Sequence, residues 1–131
     1  MPTARLTRIV EFTASHRFPD TPDFAGATHD HSHRYQCAVT VRGPFDPARG
    51  GVMSVKGLEA ILQREIVAPL DGKHINDDAP AFGDGAWVAT GEALAVHFWN
   101  RIVPALPAGV QLYCVRVQES PRLFSEYFGE A

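Results

Sequence analysis

Hydrophobic and polar residues alternate along the segment that begins at His33. The apolar positions on one side are Tyr35, Cys37, Val39 and Val41. Successive side chains of a β-strand point to opposite faces, so this alternation predicts a strand with one buried face. Residues 6–18 are rich in β-forming residues and contain no Gly or Pro, which predicts an earlier strand with His16 near its far end.

Two later segments have the spacing of amphipathic helices. Residues 55–70 predict the first helix, with Ser54 as its N-cap and Pro69 near its end. The second helix is expected to begin after Thr90, a further N-cap residue, and to end before Pro104. Apolar residues recur at helical intervals at Leu58, Ile61, Leu62 and Ile66, then at Leu94, Phe98 and Ile102. Each helix therefore has one face suited to packing against a sheet.

The segment between the helices, residues 70–86, is rich in Gly, Pro and Asp and predicts a long irregular loop. Two more strands are expected at residues 110–119 and 122–129. The resulting order, β-β-α-α-β-β, favours an α+β fold: an antiparallel four-stranded sheet with two helices on one face. The length of 131 residues predicts a single domain over residues 1–131.

Composition and charge argue against several classes of partner. A net charge of -3 gives no reason to expect nucleic acid or a membrane as a partner. The N-terminal segment lacks the pattern of a signal peptide, and no apolar run approaches the roughly 20 residues of a membrane span, so we expect a cytoplasmic protein. Cys37 and Cys114 lie in apolar, strand-like segments without CxxC spacing, which favours core packing in a reducing compartment.

Three histidines are placed for metal binding. His31 and His33 are two residues apart, so both point from the same face of the predicted second strand. His16, at the end of the first strand, is the obvious donor of a third imidazole. Catalytic zinc sites commonly have three protein ligands and one open position. Spacing alone leaves two interpretations open, a metal site or surface histidines at the end of a strand.

Six short segments extend the pattern over nearly the whole chain. In order they are FTASHRF, HSHRY, GGVMSVKGLEAIL, LDGKHIND, TGEALAVHFWNRI and VRVQES. Together they resemble the 6-pyruvoyltetrahydropterin synthase and 6-carboxytetrahydropterin synthase family. The resemblance implies a tunnelling fold, in which subunits pair their antiparallel sheets into a barrel. It also implies a homo-oligomer, usually a hexamer built from two trimers, with active sites at subunit interfaces.

The resemblance implies site residues as well. Zinc is expected at His16, His31 and His33, and Glu119 of VQES is expected to anchor the pterin ring. A carboxylate suits this task because it accepts two hydrogen bonds from a 2-amino-pyrimidinone edge. Thr90 lies in a neighbourhood that lines the pocket in the family, so it is expected to bind the small-molecule, pterin-like substrate.

Three positions depart from the family pattern. Members that act on dihydroneopterin triphosphate usually have a cysteine base four residues before the HxH motif, where this chain has Ala27. The usual Asp-His pair after the first helix is here Asp71 followed by Gly72, and Ser54 replaces an aspartate after the first hairpin. Neither Ala nor Gly can move a proton, so the usual acid-base machinery is missing.

One hypothesis is that the acid-base residues have moved. His74 lies two residues past the lost histidine, and His29 and Asp30 lie beside the predicted metal ligands. An unperturbed imidazole titrates near neutral pH, which suits general acid-base work, and Asp71 could orient such a group. Alternatively, His29 is a fourth zinc ligand, which would close the open position and argue against catalysis.

Two other hypotheses dispense with a relocated base. In one, zinc alone acts as a Lewis acid on a carbonyl or on hydroxyl groups of the substrate side chain. In the other, the chain is a catalytically inactive homologue that only binds a pterin-like ligand or a partner. We favour a zinc-dependent enzyme of the lyase or synthase type with altered acid-base residues. Its reaction on the pterin-like substrate would be a side-chain cleavage, a cyclisation or an elimination.

Overall fold

A computed structural model of the chain describes residues 2–83 and 85–130. In chain order, its strands are β1 (Thr3–His16), β2 (His31–Pro44), β3 (Lys73–His74), β4 (Gln111–Ser120) and β5 (Leu123–Tyr127). They form one sheet in the order β3-β1-β2-β4-β5. Neighbouring strands are antiparallel except for β3, which pairs in parallel with β1. The α+β class predicted from the sequence is confirmed, with a short fifth strand added to the sheet.

The α-helical segments lie between β2 and β4, and short 3-10 turns occur at Pro22–Phe24 and Val103–Ala105. The α-helices are α1 (Val55–Leu62), α2 (Ala68–Leu70), α3 (Ile75–Asp78), α4 (Pro80–Gly83) and α5 (Gly91–Ile102). A π-helical turn, Gln63–Val67, joins α1 to α2, so residues 55–70 form the continuous helical segment that the periodicity predicts. Within the described residues, no helix combines the length and the apolar character needed to cross a membrane.

Two hydroxyl side chains fix the starts of the longer helices. The Ser54 hydroxyl accepts a hydrogen bond from the N–H of Gly57, and the Thr90 hydroxyl accepts one from the N–H of Ala93. Each satisfies an N–H group that has no partner inside its helix. Both N-caps are confirmed as predicted.

The hydrophobic core lies between α1 and α5 and one face of the sheet, here called the inner face. Phe12 of β1 stacks on Tyr35 of β2 with ring centroids 4.9 Å apart, and Phe98 of α5 meets Phe12 edge-on. All three side chains are fully buried. Burying each large apolar side chain contributes about 1.5–3 kcal/mol, so this layer holds both helices against the sheet. Cys37 and Cys114 are buried as free thiols, as their strand positions predict.

The segment 70–86 differs from the irregular loop that its composition predicts. It contains β3, α3 and α4, and the buried side chains of Ile75 and Phe82 attach it to the core. The carboxylate of Asp78 accepts a hydrogen bond from the N–H of His74, which helps α3 to begin. Two isolated apolar residues are too few to show periodicity, so the sequence gives no signal for these short elements.

Gly72 forms the turn that leads into β3. Its φ is +76°, a backbone conformation that residues with a side chain rarely adopt, and its N–H donates to the carbonyl oxygen of Thr13 at 2.7 Å. The glycine that replaces the family's histidine therefore also fits a tight turn against the edge of β1.

Candidate metal centre and adjoining cleft

The three histidines predicted as metal ligands meet at one end of the sheet. β1 ends at His16, β2 begins at His31, and these two residues are directly paired across the strands. His33 follows two residues later on the same face. One ligand nitrogen from each residue lies within 4.8 Å of the others. The strand period and the β1–β2 register together assemble a three-imidazole group.

Backbone carbonyls orient two of the rings. Nδ1 of His16 lies 2.8 Å from the carbonyl oxygen of Ala89, and Nδ1 of His31 lies 2.9 Å from that of His29. A carbonyl oxygen can only accept, so both Nδ1 atoms carry the proton and the lone pair of each neutral ring is on Nε2. Ligand histidines in metalloproteins usually have such a partner on the second nitrogen.

The donor atoms fit a divalent metal such as zinc. Nε2 of His16 is buried and has no hydrogen-bond partner among the described residues. A buried lone pair without a partner is costly unless something else binds it. Because this atom lies within reach of the other two ligand nitrogens, a shared metal ion accounts for it.

Burial favours the neutral form of His16 and His33. The pKa of His16 is lowered to about 4, mainly by desolvation; the Ala89 hydrogen bond opposes this shift, and the nearby His31 and His33 add to it. The pKa of His33 is also lowered, mainly by burial and then by His31. Metal ligation requires the neutral imidazole, so the group is ready to bind a cation near neutral pH.

An aromatic wall closes one side of the histidine group. The ring of Phe18 lies 4.6 Å from that of His16 and 5.6 Å from that of His31, both edge-on. Phe24 stacks on the other face of this wall, 4.6 Å from Phe18. These contacts restrict the movement of both imidazoles and keep water from that side.

Glu119 lies beside the histidine group, at the end of β4. Its Oε2 is 4.0 Å from Nε2 of His33, and its side chain is 9% exposed. Burial raises the pKa of this carboxyl, while a hydrogen bond from the Gly91 N–H opposes the shift. The structure thus brings the predicted pterin anchor next to the predicted metal ligands.

A cleft opens between Glu119 and His33. Its volume is about 430 Å³, which lies within the range of 300–1,000 Å³ usual for small-molecule sites. Amide and hydroxyl side chains supply further hydrogen-bonding groups along it, at Ser32, Gln36, Gln118 and Ser120. Thr90 precedes Gly91 at this end of α5, but its hydroxyl is engaged as the helix cap, so contact with a substrate stays a prediction.

His74 belongs to a second group, on the other face of the sheet. It pairs with Ser15, whereas the neighbouring His16 points to the inner face. Nε2 of His74 lies 3.0 Å from Asp30, and Arg17 contacts both Asp30 at 3.3 Å and Asp77 at 2.8 Å. Arg17, Asp30, His74 and Asp77 are called the outer cluster below.

The other two predicted catalytic residues are not part of the three-imidazole group, although the ring of His29 lies 5.5 Å from that of His31. The Asp71 carboxylate accepts the N–H of Thr13 at 2.9 Å, which supports the edge of β1. His29 is exposed and precedes β2, and it is not part of the metal-ligating group found among the described residues. Its carbonyl oxygen orients His31. Catalytic roles for Asp71 and His29 stay predictions.

Two contributors to the site were not predicted from the sequence. The carbonyl of Ala89 orients His16, and a backbone atom leaves no signal in the residue type. Gly91 touches Glu119. A glycine directly after a helix cap was a visible signal, because glycine is unfavourable within helices.

The fold and the histidine group define a class of protein: an α+β protein with a site suited to binding a metal ion at one end of its sheet. Residues 5–130 match the family described as 6-pyruvoyl tetrahydropterin synthase. The chain belongs to this family. It is similar to the 6-pyruvoyl tetrahydrobiopterin synthase of Homo sapiens, with 36% identity over 97% of this chain and 92% of the human protein. The Drosophila melanogaster enzyme of the same name is 32% identical, over 98% of this chain and 81% of that protein.

Solved structures agree with this assignment. The 6-pyruvoyl tetrahydropterin synthase of Caenorhabditis elegans superposes with a TM-score of 0.89 at 24% identity, over 99% of this chain and 98% of that one. The Plasmodium vivax 6-pyruvoyltetrahydropterin synthase superposes with a TM-score of 0.74 at 15% identity, and the match covers both chains completely. At these identities the superpositions establish the shared fold.

Proposed function

We propose that the chain is a zinc-dependent enzyme of the lyase type that acts on a pterin or a pterin-like compound. The observation that carries the proposal is the unpartnered, buried Nε2 of His16 within reach of His31 and His33. The carboxylate of Glu119 beside His33 adds a group suited to a pterin ring. Family membership supports the same substrate class.

The chain's own residues would bind two different parts of the substrate, its ring and its side chain. His16, His31 and His33 would hold the metal, which when bound supplies Lewis acidity toward oxygen atoms of the substrate side chain. The carbonyls of Ala89 and His29 keep the imidazoles oriented. Glu119 would accept hydrogen bonds from the ring's 2-amino edge and so orient the side chain toward the histidines.

We propose His74 as the acid-base residue in place of the missing cysteine and histidine. Nε2 of His74 lies 3.0 Å from the Asp30 carboxylate, which can only accept, and 3.2 Å from Nη1 of Arg17, which can only donate. In the tautomer that donates to Asp30, the lone pair is on Nδ1. Nδ1 is buried without a hydrogen-bond partner among the described residues and lies 3.6 Å from the Asp77 carboxylate, so the ring would have to turn to present this nitrogen to a substrate. Asp30 would hold the ring, while Asp71 and His29 are weaker candidates because neither lies in this arrangement.

The position of His74 on the outer face suggests which substrate it serves. Its pairing with Ser15 places it on the face of the sheet opposite the inner-face histidines of its own chain. We therefore propose that it acts on a substrate held by a neighbouring subunit of a homo-oligomer. A hexamer of two trimers is the assembly that the family resemblance suggests. The exposed apolar side chains of Ile9, Leu123 and Phe124 on the sheet, and of Phe128 just after β5, are suited to such contacts.

Subunit mixing tests this arrangement. The variants His74→Gln and His31→Ala are each expected to lose turnover, because one lacks the base and the other the metal. Mixed oligomers should regain activity, since some interfaces then combine an intact His74 with an intact metal site. Light scattering gives the oligomer size. A monomer in solution, or no recovery on mixing, would refute the shared site.

Incubation with dihydroneopterin triphosphate tests the reaction. The zinc-loaded protein is expected to release a product that mass spectrometry identifies as a cleaved, cyclised or dephosphorylated pterin, with acetaldehyde trapped if the side chain is cleaved. The His31→Ala variant is the control and should give none. A protein that binds zinc but converts neither this compound nor related pterins would contradict the enzyme proposal.

A non-catalytic ligand-binding protein is the second candidate. It is favoured by Ala27 and Gly72, neither of which can transfer a proton, and by the separation of His74 from the inner-face site. In that case Glu119→Ala would weaken pterin binding strongly, and neither the parent protein nor any variant would form a product. We place either function in the cytoplasm, since both cysteines are buried free thiols.

A further inference from the structure

Gly91 is the first residue of α5 and is buried against Glu119. A Cβ atom added to Gly91 would lie 2.5 Å from Oε1 of Glu119 and 3.2 Å from Oγ of Ser125. Cβ atoms essentially never approach another heavy atom within 3.0 Å. A side chain at position 91 and the observed position of the Glu119 carboxylate therefore exclude each other.

Backbone conformation does not explain this glycine. Gly91 is absent from the residues with positive φ, so alanine could adopt the same backbone. Alanine also has the higher helix propensity. The carboxylate of Glu119 fills the space that a side chain at position 91 would occupy. This explains the glycine at this position.

That space determines what the carboxylate can reach. The N–H of Gly91 hydrogen-bonds to Glu119 at the start of α5, where N–H groups without a helical partner favour a negative charge. The other oxygen, Oε2, lies 4.0 Å from Nε2 of His33. The carboxylate is thus held between the helix start and the histidine group, at the border of the cleft.

We propose that Gly91 is a positioning residue for recognition of the substrate ring. By lacking a side chain, it lets the Glu119 carboxylate occupy the place from which it binds the 2-amino-pyrimidinone edge of a pterin. This inference rests on the proposed function, because it requires Glu119 to bind the ring. Gly91 acts through Glu119, the nearest side chain to an added Cβ.

A double-mutant cycle on pterin binding tests the inference. The probe is unsubstituted pterin, and its affinity for the zinc-loaded full chain is measured by fluorescence titration. Gly91→Ala should weaken binding roughly tenfold or more, because the displaced carboxylate loses hydrogen bonds to the ring. In a Glu119→Ala background, where nothing remains to displace, the same substitution should change affinity less than about twofold.

Gly57→Ala is the matched control. Gly57 also lies in the first turn of a helix, and an added Cβ would meet only ordinary contacts at 3.6 Å or more. It should leave pterin affinity unchanged. Gly91→Ala should keep the melting temperature and the zinc stoichiometry of the parent protein, because the atom that must move is the end of a flexible side chain.

The outcomes separate the inference from the proposed function. If the parent protein binds pterin and the folded Gly91→Ala variant binds it equally well, the inference alone is overturned. Equal losses in the parent and the Glu119→Ala background would also overturn it, because Gly91 would then act independently of Glu119. Unchanged pterin affinity in Glu119→Ala itself, or no affinity in the parent, would overturn the proposed anchor and the inference together.

Discussion

Two histidine-containing groups lie at the same end of the sheet, on opposite faces. On the inner face, the ring of His16 is fully buried and its Nε2 has no partner among the described residues. On the outer face, His74 is surrounded by charge, with Asp30 on one nitrogen and Arg17 and Asp77 close by. The two groups differ in their neighbours: His16 faces two other imidazoles, whereas His74 faces carboxylates and a guanidinium. This difference separates the predicted metal ligands from an ion-pair cluster.

Removing an inner-face ligand should have the largest effect. His31→Ala leaves two imidazoles, and we expect zinc affinity to fall by about a thousandfold or more, because structural zinc sites bind with about 10–16 kcal/mol shared among few ligands. Competition with a chromophoric chelator measures this. His29→Ala is the matched control, since its backbone carbonyl still orients His31. Equal losses in the two variants would show that His29 is itself a ligand.

Lowering the pH should destabilise the metal-free protein, because His16 of the inner-face group takes up a proton more readily in the unfolded chain. The pKa of His16 is about 4 in the folded chain and near 6.5 when unfolded, so between these values the unfolded chain binds more protons. The contribution of His16 to the free energy of unfolding is therefore fully present above pH 6.5. It falls by about 3 kcal/mol as the pH drops toward 4. Urea denaturation at several pH values measures this.

Two variants assign that pH dependence to one face of the sheet. His16→Gln should flatten the profile between pH 6.5 and 4, because the residue that gains a proton on unfolding is gone. Asp77→Asn should leave it in place, since the pKa of Asp77 is lowered by Arg17 and its contribution is lost only at more acidic pH. A profile that persists in His16→Gln would refute the assignment.

The smallest effect is expected from the outer cluster. Arg17, Asp30 and Asp77 are each at least 42% exposed, and exposed ion pairs contribute little to stability. Asp77→Asn should therefore change zinc affinity by less than about twofold, because the exposed charge of Asp77 is screened by solvent. Isothermal titration measures this. A larger loss would show that the outer cluster supports the metal centre through Arg17, the neighbour of His16.

Much of the inner site could be predicted because its determinants are local. The period of two places His31 and His33 on one face, and the end of the first β-forming segment places His16 opposite them. The caps Ser54 and Thr90 are likewise signalled by residue type. Glu119 was located by resemblance, and its contact with Gly91 required the packing of α5 against β4.

The outer cluster could not be predicted because it depends on contacts between distant segments. His74 meets Asp30 and Arg17 only because Gly72 turns the chain back along the edge of β1. Neither the two-residue strand β3 nor the four-residue helix α3 is long enough to show a periodic pattern. Such elements are determined by tertiary packing rather than by local propensity.

The direct pairing of His16 with His31 has a mechanical consequence. A metal held by both residues would fasten the end of β1 to the start of β2 and close the segment between them, much as a disulfide closes a loop. A slip of one residue between the strands would turn His31 and His33 to the outer face and separate them from His16. Metal binding would therefore stabilise the native register of β1 and β2, the two longest strands.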